Sequence, residues 1–192
     1  MLPLRFAVVC ASNQNRSMAA HHQLRMKSLD VSSFGTGSMV QLPGPAPDAP
    51  NVYSFGTPYQ HMINDLKSKD EQLYISNGVL PMLQRNASLK EAPERFQNSS
   101  QYFDVIITFE HRVFDKVLEH LFTKDQQAVR LCHVINIDVH DTHLDAIQGG
   151  LRAAFLAEAL VKLSDLHAEV MSAIKLYEER FSLRVLYSVA FN

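Results

Sequence analysis

Cysteine is scarce in this sequence: Cys10 and Cys132 are the only two among 192 residues. Two cysteines are too few for a disulfide framework and are typical of a protein from a reducing compartment. The sequence leaves open whether these two thiols lie close enough to form a single disulfide, because that depends on the fold.

An excess of charge of either sign is also missing. Eighteen basic residues oppose 20 acidic residues, and the formal net charge is −2. No basic block occurs, so we expect no direct binding of nucleic acid through phosphate neutralisation. No apolar run reaches membrane-spanning length, and the short apolar run near residue 6 is followed by polar residues, unlike a signal peptide. The length and the 46% apolar content predict one domain, residues 1–192, with a real core.

Apolar runs alternate with amphipathic segments along the chain, which predicts strands alternating with helices. The predicted strands are residues 4–9, 31–34, 103–109, 133–137 and 183–191. The predicted helices are residues 18–27, 59–76 in two pieces, 110–122, and 144–181 with interruptions near Gly149-Gly150 and Ser164-Asp165. This alternation predicts an α/β fold with three layers and an open, mostly parallel sheet of four to five strands.

Two further segments have local signals. Thr57, Pro58 and Gln60 match a helix start with a capping box. Residues 35–58 contain five of the eight prolines and are predicted to be one long loop, while residues 85–100 are predicted to be polar and irregular. A loop of this length is either functional or a rigid surface excursion, and the sequence does not decide between them.

The stretch from Cys10 to Ser17 has the pattern Cys, five residues, Arg, Ser, and it lies between the first predicted strand and the first helix. Such a loop can direct its backbone N–H groups at one phosphate, here those of Ala11, Ser12, Asn13, Gln14 and Asn15. The cysteine thiolate is then the nucleophile, Arg16 offers a planar fork to two phosphate oxygens, and Ser17 can donate its hydroxyl to the sulfur. The pattern predicts phosphoryl transfer through a phosphocysteine. The alternative is a buried thiol at a strand end beside a solvated arginine.

Release of an alcohol or phenol from phosphate also needs a proton donor. Asp138 and Asp141 follow the predicted strand 133–137 and would lie at the same sheet edge as Cys10, because ligands bind beyond the carboxyl ends of parallel strands. The alternative is that the two aspartates only shape a turn and cap the next helix. Neighbouring histidines do not have the spacing of a metal site, so we expect neither metal nor cofactor.

Several segments, in the same order, resemble the RNA polymerase II C-terminal-domain phosphatase family of the cleavage and polyadenylation machinery, which is related to low-molecular-weight protein tyrosine phosphatases. The resembling segments are AVVCASNQNRSMAAH, SFGTG, LPGPAPDAPNVY, NDLKSKDEQLYISNG, APERFQN, FDVIIT and HVINIDVHD. The resemblance implies a low-molecular-weight tyrosine phosphatase-like fold and metal-independent removal of phosphate from phosphoserine-proline sites. It implies Asp141 as general acid and Asp138 as a supporting carboxylate. It also implies that Pro43, Tyr74 and Met82 form a pocket for a cis-proline ring.

The same resemblance implies two partners, the phosphorylated C-terminal domain of RNA polymerase II and a symplekin-like scaffold. It implies a nuclear location, with the cytoplasm left open as a second one. The chain departs from the family pattern at Ser32, Gln41 and Pro81, which suggests a divergent paralogue with an altered grip on substrate. Two alternatives stay open: a phosphotyrosine phosphatase or thiol arsenate reductase on the same fold, and an inactive paralogue that binds phosphopeptide or scaffold in mRNA 3′-end processing.

Overall fold

The computed structural model describes residues 3–123 and 130–191. Within these ranges the strands are β1 (Arg5–Cys10), β2 (Asp30–Gly35), β3 (Val40–Leu42), β4 (Asn51–Tyr53), β5 (Val105–Thr108), β6 (Leu131–Asn136) and β7 (Leu186–Phe191). The helices are α1 (Arg16–Met26), α2 (Tyr59–Ser76), α3 (Val79–Leu89), α4 (His111–Thr123), α5 (His143–Leu160) and α6 (Leu166–Phe181), with a 3₁₀ turn at Phe96–Asn98.

Five of the strands form one sheet in the order β2-β1-β5-β6-β7. The first four are mutually parallel, and β7 pairs antiparallel with β6 at one edge. The predicted α/β fold with a mostly parallel open sheet is therefore confirmed. Cys10 ends β1 opposite Gly35, and Asn136 ends β6 opposite Thr108, so these strand ends share one edge of the sheet.

Apolar side chains cover both faces of the sheet. On one face, β1, β5 and β6 pack against α1, α5 and α6. On the other face, the sheet packs against α4 and against the rings of Phe34, Phe96 and Phe103. A third cluster joins β3, α2 and α3 to Met18 of α1, and it attaches this part of the chain to the helix that follows the Cys10 loop. In the part of the chain that the structure describes, no helix has the length and apolarity to cross a bilayer.

The two cysteines are both free thiols and lie on opposite faces of the sheet. Strand β5 separates β1 from β6, and the register places Cys132 level with Arg5, five residues from Cys10. Strand spacing and rise put their Cα atoms more than about 15 Å apart, whereas a disulfide needs about 7 Å or less. The question that the sequence left open is answered: these thiols cannot pair.

Four local predictions were wrong. Residues 35–58 are not all loop, because β3 and β4 form an antiparallel hairpin there. Residues 85–89 belong to α3 rather than to an irregular stretch. No capping box forms at Thr57: Pro58 occupies the N-cap of α2 and no side chain caps it. The fourth error concerns Gly149-Gly150, which does not interrupt α5.

Those two glycines serve close packing instead. A Cβ at Gly150 would lie 2.9 Å from the backbone carbon and oxygen of Ala19 in α1, and one at Gly149 would lie 2.6 Å from a methyl group of Val139. Only glycine lets α5 approach α1 and the segment after β6 this closely. Helix continuity is retained because the surrounding alanines and leucines are good helix formers.

Candidate active site

Cys10 lies at the carboxyl end of β1 with only 3% of its surface exposed. Its Sγ atom is 3.1 Å from Ser17 Oγ, in the first turn of α1. Asn13 Nδ2 donates to the same Ser17 oxygen at 3.0 Å. Asn13 has a φ of 54°, in the left-handed region that asparagine tolerates, and this turns the loop back toward α1.

Side chains of α2 and α3 donate hydrogen bonds to backbone carbonyl groups of the loop. Tyr59 donates its hydroxyl to the Asn13 carbonyl at 2.7 Å, and burial raises the pKa of Tyr59, so this donor stays protonated. Arg85 and Asn86 of α3 donate to the Gln14 carbonyl at 3.0 and 2.8 Å. Burial also lowers the pKa of Arg85 to about 10, which leaves its guanidinium charged at neutral pH. The carbonyl oxygens of Asn13 and Gln14 are therefore already bound by donors from α2 and α3, and we expect the loop amides to face the anion.

Arg16 is the first residue of α1 and only 5% of its surface is exposed. Its Nη1 donates to Val139 O at 3.0 Å and to Phe109 O at 3.4 Å, and its Nη2 donates to Glu110 Oε2 at 2.8 Å. Its Nε atom is buried and has no hydrogen-bond partner among the described residues. Since buried donors are nearly always paired, this N–H is suited to a ligand oxygen.

Asp141 lies beside Arg16 and Asn15. Its Oδ2 is 3.4 Å from Arg16 Nη2, and its Oδ1 accepts a hydrogen bond of 2.9 Å from Asn15 Nδ2. Its side chain is 58% exposed, so protons can exchange with solvent. Thr142, not Asp141, caps α5: its hydroxyl oxygen accepts from the Asp145 amide at 3.1 Å. The structure thus brings Asp141 to the Cys10 loop and gives the capping role to its neighbour.

Asp138 has a different position. It is exposed and accepts a hydrogen bond of 2.9 Å from Asn136 Nδ2, while Thr108 donates to the Asn136 oxygen at 2.8 Å. It does not line the cavity at Cys10. Asp138 therefore supports the turn after β6, at the correct sheet edge but outside the cavity.

A cavity of about 250 Å³ opens over the loop. Its lining includes four loop residues and residues of β3, α3 and the α5 start, namely Cys10, Ser12, Gln14, Asn15, Gln41, Leu42, Pro43, Asn77, Gly78, Val79, Met82, Asp141 and His143. Pro43 and Met82 thus lie where the resemblance puts them. Tyr74 does not reach the cavity: it is buried behind it and accepts from Asn51 Nδ2 at 2.8 Å, while the same amide group donates to the Pro43 carbonyl at 3.1 Å.

Sequence reasoning missed Glu110, Arg85, Asn86 and the position of His143 at the cavity. Glu110 could have been found, because it follows β5 at the same sheet edge as Cys10 and Asp141. The contacts of Arg85 and Asn86 in α3 with the loop could not have been found, because no local sequence pattern shows which helix packs behind a loop. In residues 3–123 and 130–191, no three histidine, cysteine or acidic side chains gather to hold a metal ion.

The thiol and the carboxylate line one small cavity, and the buried arginine lies directly beside that carboxylate. This arrangement defines the class of cysteine-dependent phosphatases, whose chemistry needs a nucleophile, an anion clamp and a proton donor. The family model of the Ssu72-like proteins matches residues 4–192. This chain belongs to the Ssu72-like family.

Relatives of similar length support that assignment. The chain is 47% identical to the human RNA polymerase II C-terminal domain phosphatase SSU72 and 48% identical to the zebrafish (Danio rerio) protein, over 189 residues in each case, covering 98% of this chain and 97% of each relative. A Drosophila melanogaster Ssu72 structure with symplekin and a cis peptidomimetic phosphoserine peptide of the C-terminal domain matches with a TM-score of 0.95 and 43% identity, covering 98% of both chains. A second Drosophila structure, that of the serine phosphatase of the RNA polymerase II C-terminal domain, matches with a TM-score of 0.96 and 44% identity, covering 98% of this chain and all of that one.

Proposed function

We propose that this protein removes phosphate from phosphoserine-proline sites of the RNA polymerase II C-terminal domain through a phosphocysteine. The observation that carries the proposal is the 3.1 Å contact between Cys10 Sγ and Ser17 Oγ, at the base of a cavity that Asp141 also lines. A hydroxyl donor on the sulfur favours the thiolate, which is the reactive form of cysteine. The Ssu72 relatives are named as phosphatases of the RNA polymerase II C-terminal domain.

In the first step, Cys10 Sγ attacks phosphorus in line with the serine oxygen. The S–P bond forms as the O–P bond breaks, and Asp141 gives its proton to the departing serine oxygen. Loop amides and the free Arg16 Nε–H bind the equatorial oxygens, whose charge is spread over three atoms in the transition state.

In the second step, a water molecule attacks the phosphocysteine. Asp141, now a carboxylate, accepts the proton of that water, the new O–P bond forms, and the S–P electron pair returns to Cys10. Ser17 stabilises the thiolate as it leaves, through the same 3.1 Å contact. Inorganic phosphate is released and both residues regain their starting forms.

The cavity wall supports a proline next to the phosphoserine. Pro43 and Met82 present apolar surface beside the loop, and an apolar slot suits a pyrrolidine ring. Tyr74 acts indirectly, since Asn51 links its hydroxyl to the Pro43 carbonyl. The peptide bound to the Drosophila relative is a cis form, and we extend the cis-proline geometry to this chain.

We also propose a symplekin-like scaffold as a partner, because the Drosophila relative forms a complex with symplekin. A protein that acts on RNA polymerase II works in the nucleus, so we propose a nuclear location. Nothing in the site requires a metal or organic cofactor, since thiolate, arginine and carboxylate supply each step of the chemistry.

The test is phosphate release from a C-terminal-domain peptide carrying phosphoserine before proline, by the native protein, Cys10→Ser and Asp141→Asn. We expect release by the native protein, none by Cys10→Ser, and a loss of about 100-fold for Asp141→Asn, in line with general-acid catalysis. A phosphotyrosine peptide tests the alternative specificity. A native protein that binds the phosphoserine peptide without releasing phosphate would show the inactive paralogue instead.

A further inference from the structure

Lys90 lies directly after α3 and is nearly buried, with 12% of its side chain exposed. Its ammonium group donates to the Ser33 carbonyl at 2.7 Å and to Asn13 Oδ1 at 3.2 Å, and it pairs with the carboxylate of Glu94. The Nζ atom is also 5.4 Å from the centroid of the Phe34 ring. Burying an ammonium group is costly unless it is paired and hydrogen-bonded, and here Glu94, Ser33 and Asn13 compensate for that cost.

The amide group of Asn13 has only one orientation that satisfies its surroundings. Its Oδ1 faces two donors, Lys90 Nζ at 3.2 Å and the Glu94 backbone N–H at 3.1 Å. Neither of these groups can accept a hydrogen bond, so the oxygen must face them and Nδ2 must face Ser17. A flipped amide would place Oδ1 on Ser17, where it would take the hydroxyl hydrogen away from Cys10.

With Nδ2–H on one lone pair of Ser17 Oγ, the hydroxyl hydrogen is free to point at Cys10 Sγ, 3.1 Å away. We propose that Lys90 is a positioning residue for the nucleophile: its charge polarises the Asn13 amide and directs the Ser17 hydroxyl onto the Cys10 thiolate. This rests on the proposed function, since it concerns the same thiolate. Successive hydrogen bonds strengthen one another, so a charge at one end is felt at the sulfur.

Other charges around the loop face it from other elements. Arg85 reaches it from α3, Arg16 lies in α1, and Glu110 and Asp141 follow β5 and β6. None of these four hydrogen-bonds to Asn13 Oδ1. Burial lowers the pKa of Lys90, and its hydrogen bond with Glu94 opposes that shift, so Glu94 helps to keep the ammonium form.

The experiment measures the rate at which iodoacetamide alkylates Cys10 across pH, with mass spectrometry to assign the label. The variants are Lys90→Met, Lys90→Arg and the control Lys67→Met, which removes a half-exposed lysine paired with Glu71. For Lys90→Met we expect the midpoint of the profile to rise by about one pH unit, and the rate at pH 6 to fall about fivefold to tenfold. Lys90→Arg and Lys67→Met should stay within about twofold of the native rate, because the first retains the charge and the second lies elsewhere.

A merely structural role gives a different result. If Lys90→Met only disturbed the loop, alkylation would be slowed equally at every pH, whereas the proposal requires the native and variant rates to converge at high pH. An unchanged midpoint or a uniform loss would overturn it. If Lys90→Met fails to fold, Lys90→Gln, which keeps a donor without the charge, gives the same two outcomes.

An Asn13→Gly background tests whether the Lys90 charge acts on Cys10 through the Asn13 amide. Glycine is suitable because it tolerates the φ of 54° at this position. In that background, Lys90→Met should leave the midpoint of the Cys10 alkylation profile unchanged. An equal shift with and without Asn13 would show an effect through space and refute the relay. Peptide dephosphorylation is measured in parallel: a protein with a normal Cys10 profile but no phosphatase activity would disprove the proposed function and leave the relay intact.

Discussion

Arg16 Nη2 donates to Glu110 Oε2 at 2.8 Å and lies 3.4 Å from Asp141 Oδ2, so two carboxylates hold one edge of the guanidinium. Its Nη1 is held by two carbonyl groups, and the Nε–H is left for a ligand. The orientation of the guanidinium is thus set by the protein before any anion binds. Preorganised donors of this kind are what electrostatic catalysis requires.

Glu110→Gln should lower kcat/KM about threefold to tenfold, and Glu110→Ala about tenfold or more. A charge-assisted hydrogen bond contributes about 1.5–3 kcal/mol, and Glu110 is partly exposed, so water compensates for some of the loss. Steady-state kinetics on the phosphopeptide measures the change. Asp115→Asn, an exposed acid in α4, which begins directly after Glu110, is the control and should leave kcat/KM unchanged. Equal effects at both positions would exclude a specific role for Glu110.

Gly150→Ala should destabilise the fold by about 1–3 kcal/mol, the range for overpacking in a close-packed core. The added Cβ would meet backbone atoms of Ala19 at 2.9 Å, and α1, which carries Arg16, would have to move. Urea unfolding measures the stability, and phosphatase assays should show a parallel loss of activity. Gln148→Ala on the exposed face of α5 is the control and should leave the free energy of unfolding unchanged. Native stability in Gly150→Ala would contradict the packing argument.

Gln41→Lys should lower KM for a phosphopeptide about threefold and leave kcat unchanged. Among residues 3–123 and 130–191, no lysine or arginine lines the cavity, and its ionisable groups are Cys10, Asp141 and His143. A lysine at its edge would attract the dianionic substrate without touching the reacting atoms, and the gain should fade as ionic strength rises. The kinetics are measured at two salt concentrations. Ser172→Lys on α6 adds the same charge away from the cavity, and an equal gain there would indicate net charge alone.

Stability should fall as pH falls from about 6.5 toward 4. Burial lowers the pKa of His133 and of His21 to about 4, against about 6.5 in the unfolded chain. In this window the unfolded chain binds more protons, so ∂ΔG(unfolding)/∂pH is positive, and each histidine contributes roughly 1–2 kcal/mol between pH 7 and pH 5. Urea unfolding at pH 7 and at pH 5 measures the change in unfolding free energy.

His133→Leu should remove about half of this pH dependence and leave the part due to His21. His133 is hydrogen-bonded to Tyr187 OH and to His167 Nδ1, each at 2.9 Å, so the variant also loses some stability at pH 7. The informative quantity is therefore the difference in unfolding free energy between pH 7 and pH 5, not the unfolding free energy at either pH. An unchanged difference would show that His133 does not titrate in this window.

The order of strands and helices was predictable because it depends on local periodicity. The runs at residues 4–9 and 103–109 are apolar except for Arg5, Asp104 and Thr108, as expected for strands buried on both faces, and the structure places β1 and β5 there. The errors fell where local signals were weak or served another purpose. Gly149 and Gly150 look like helix breakers, but their small size is needed for contact with Val139 and Ala19, residues remote in sequence.

For the site, the sequence by itself indicated the nucleophile loop and two candidate acids, Asp138 and Asp141, between which only the family resemblance chose. Cys10, Arg16 and Ser17 lie within eight residues, and Asp141 follows a recognisable strand, so their meeting at one edge follows from parallel-sheet topology. Only the tertiary structure decided that Asp138 and Tyr74 lie outside the cavity and that Cys10 and Cys132 are apart. It also decided that Lys90 reaches Asn13, 77 residues away in sequence. The physical reason is that side-chain contacts between distant segments depend on how helices pack, which no local pattern encodes.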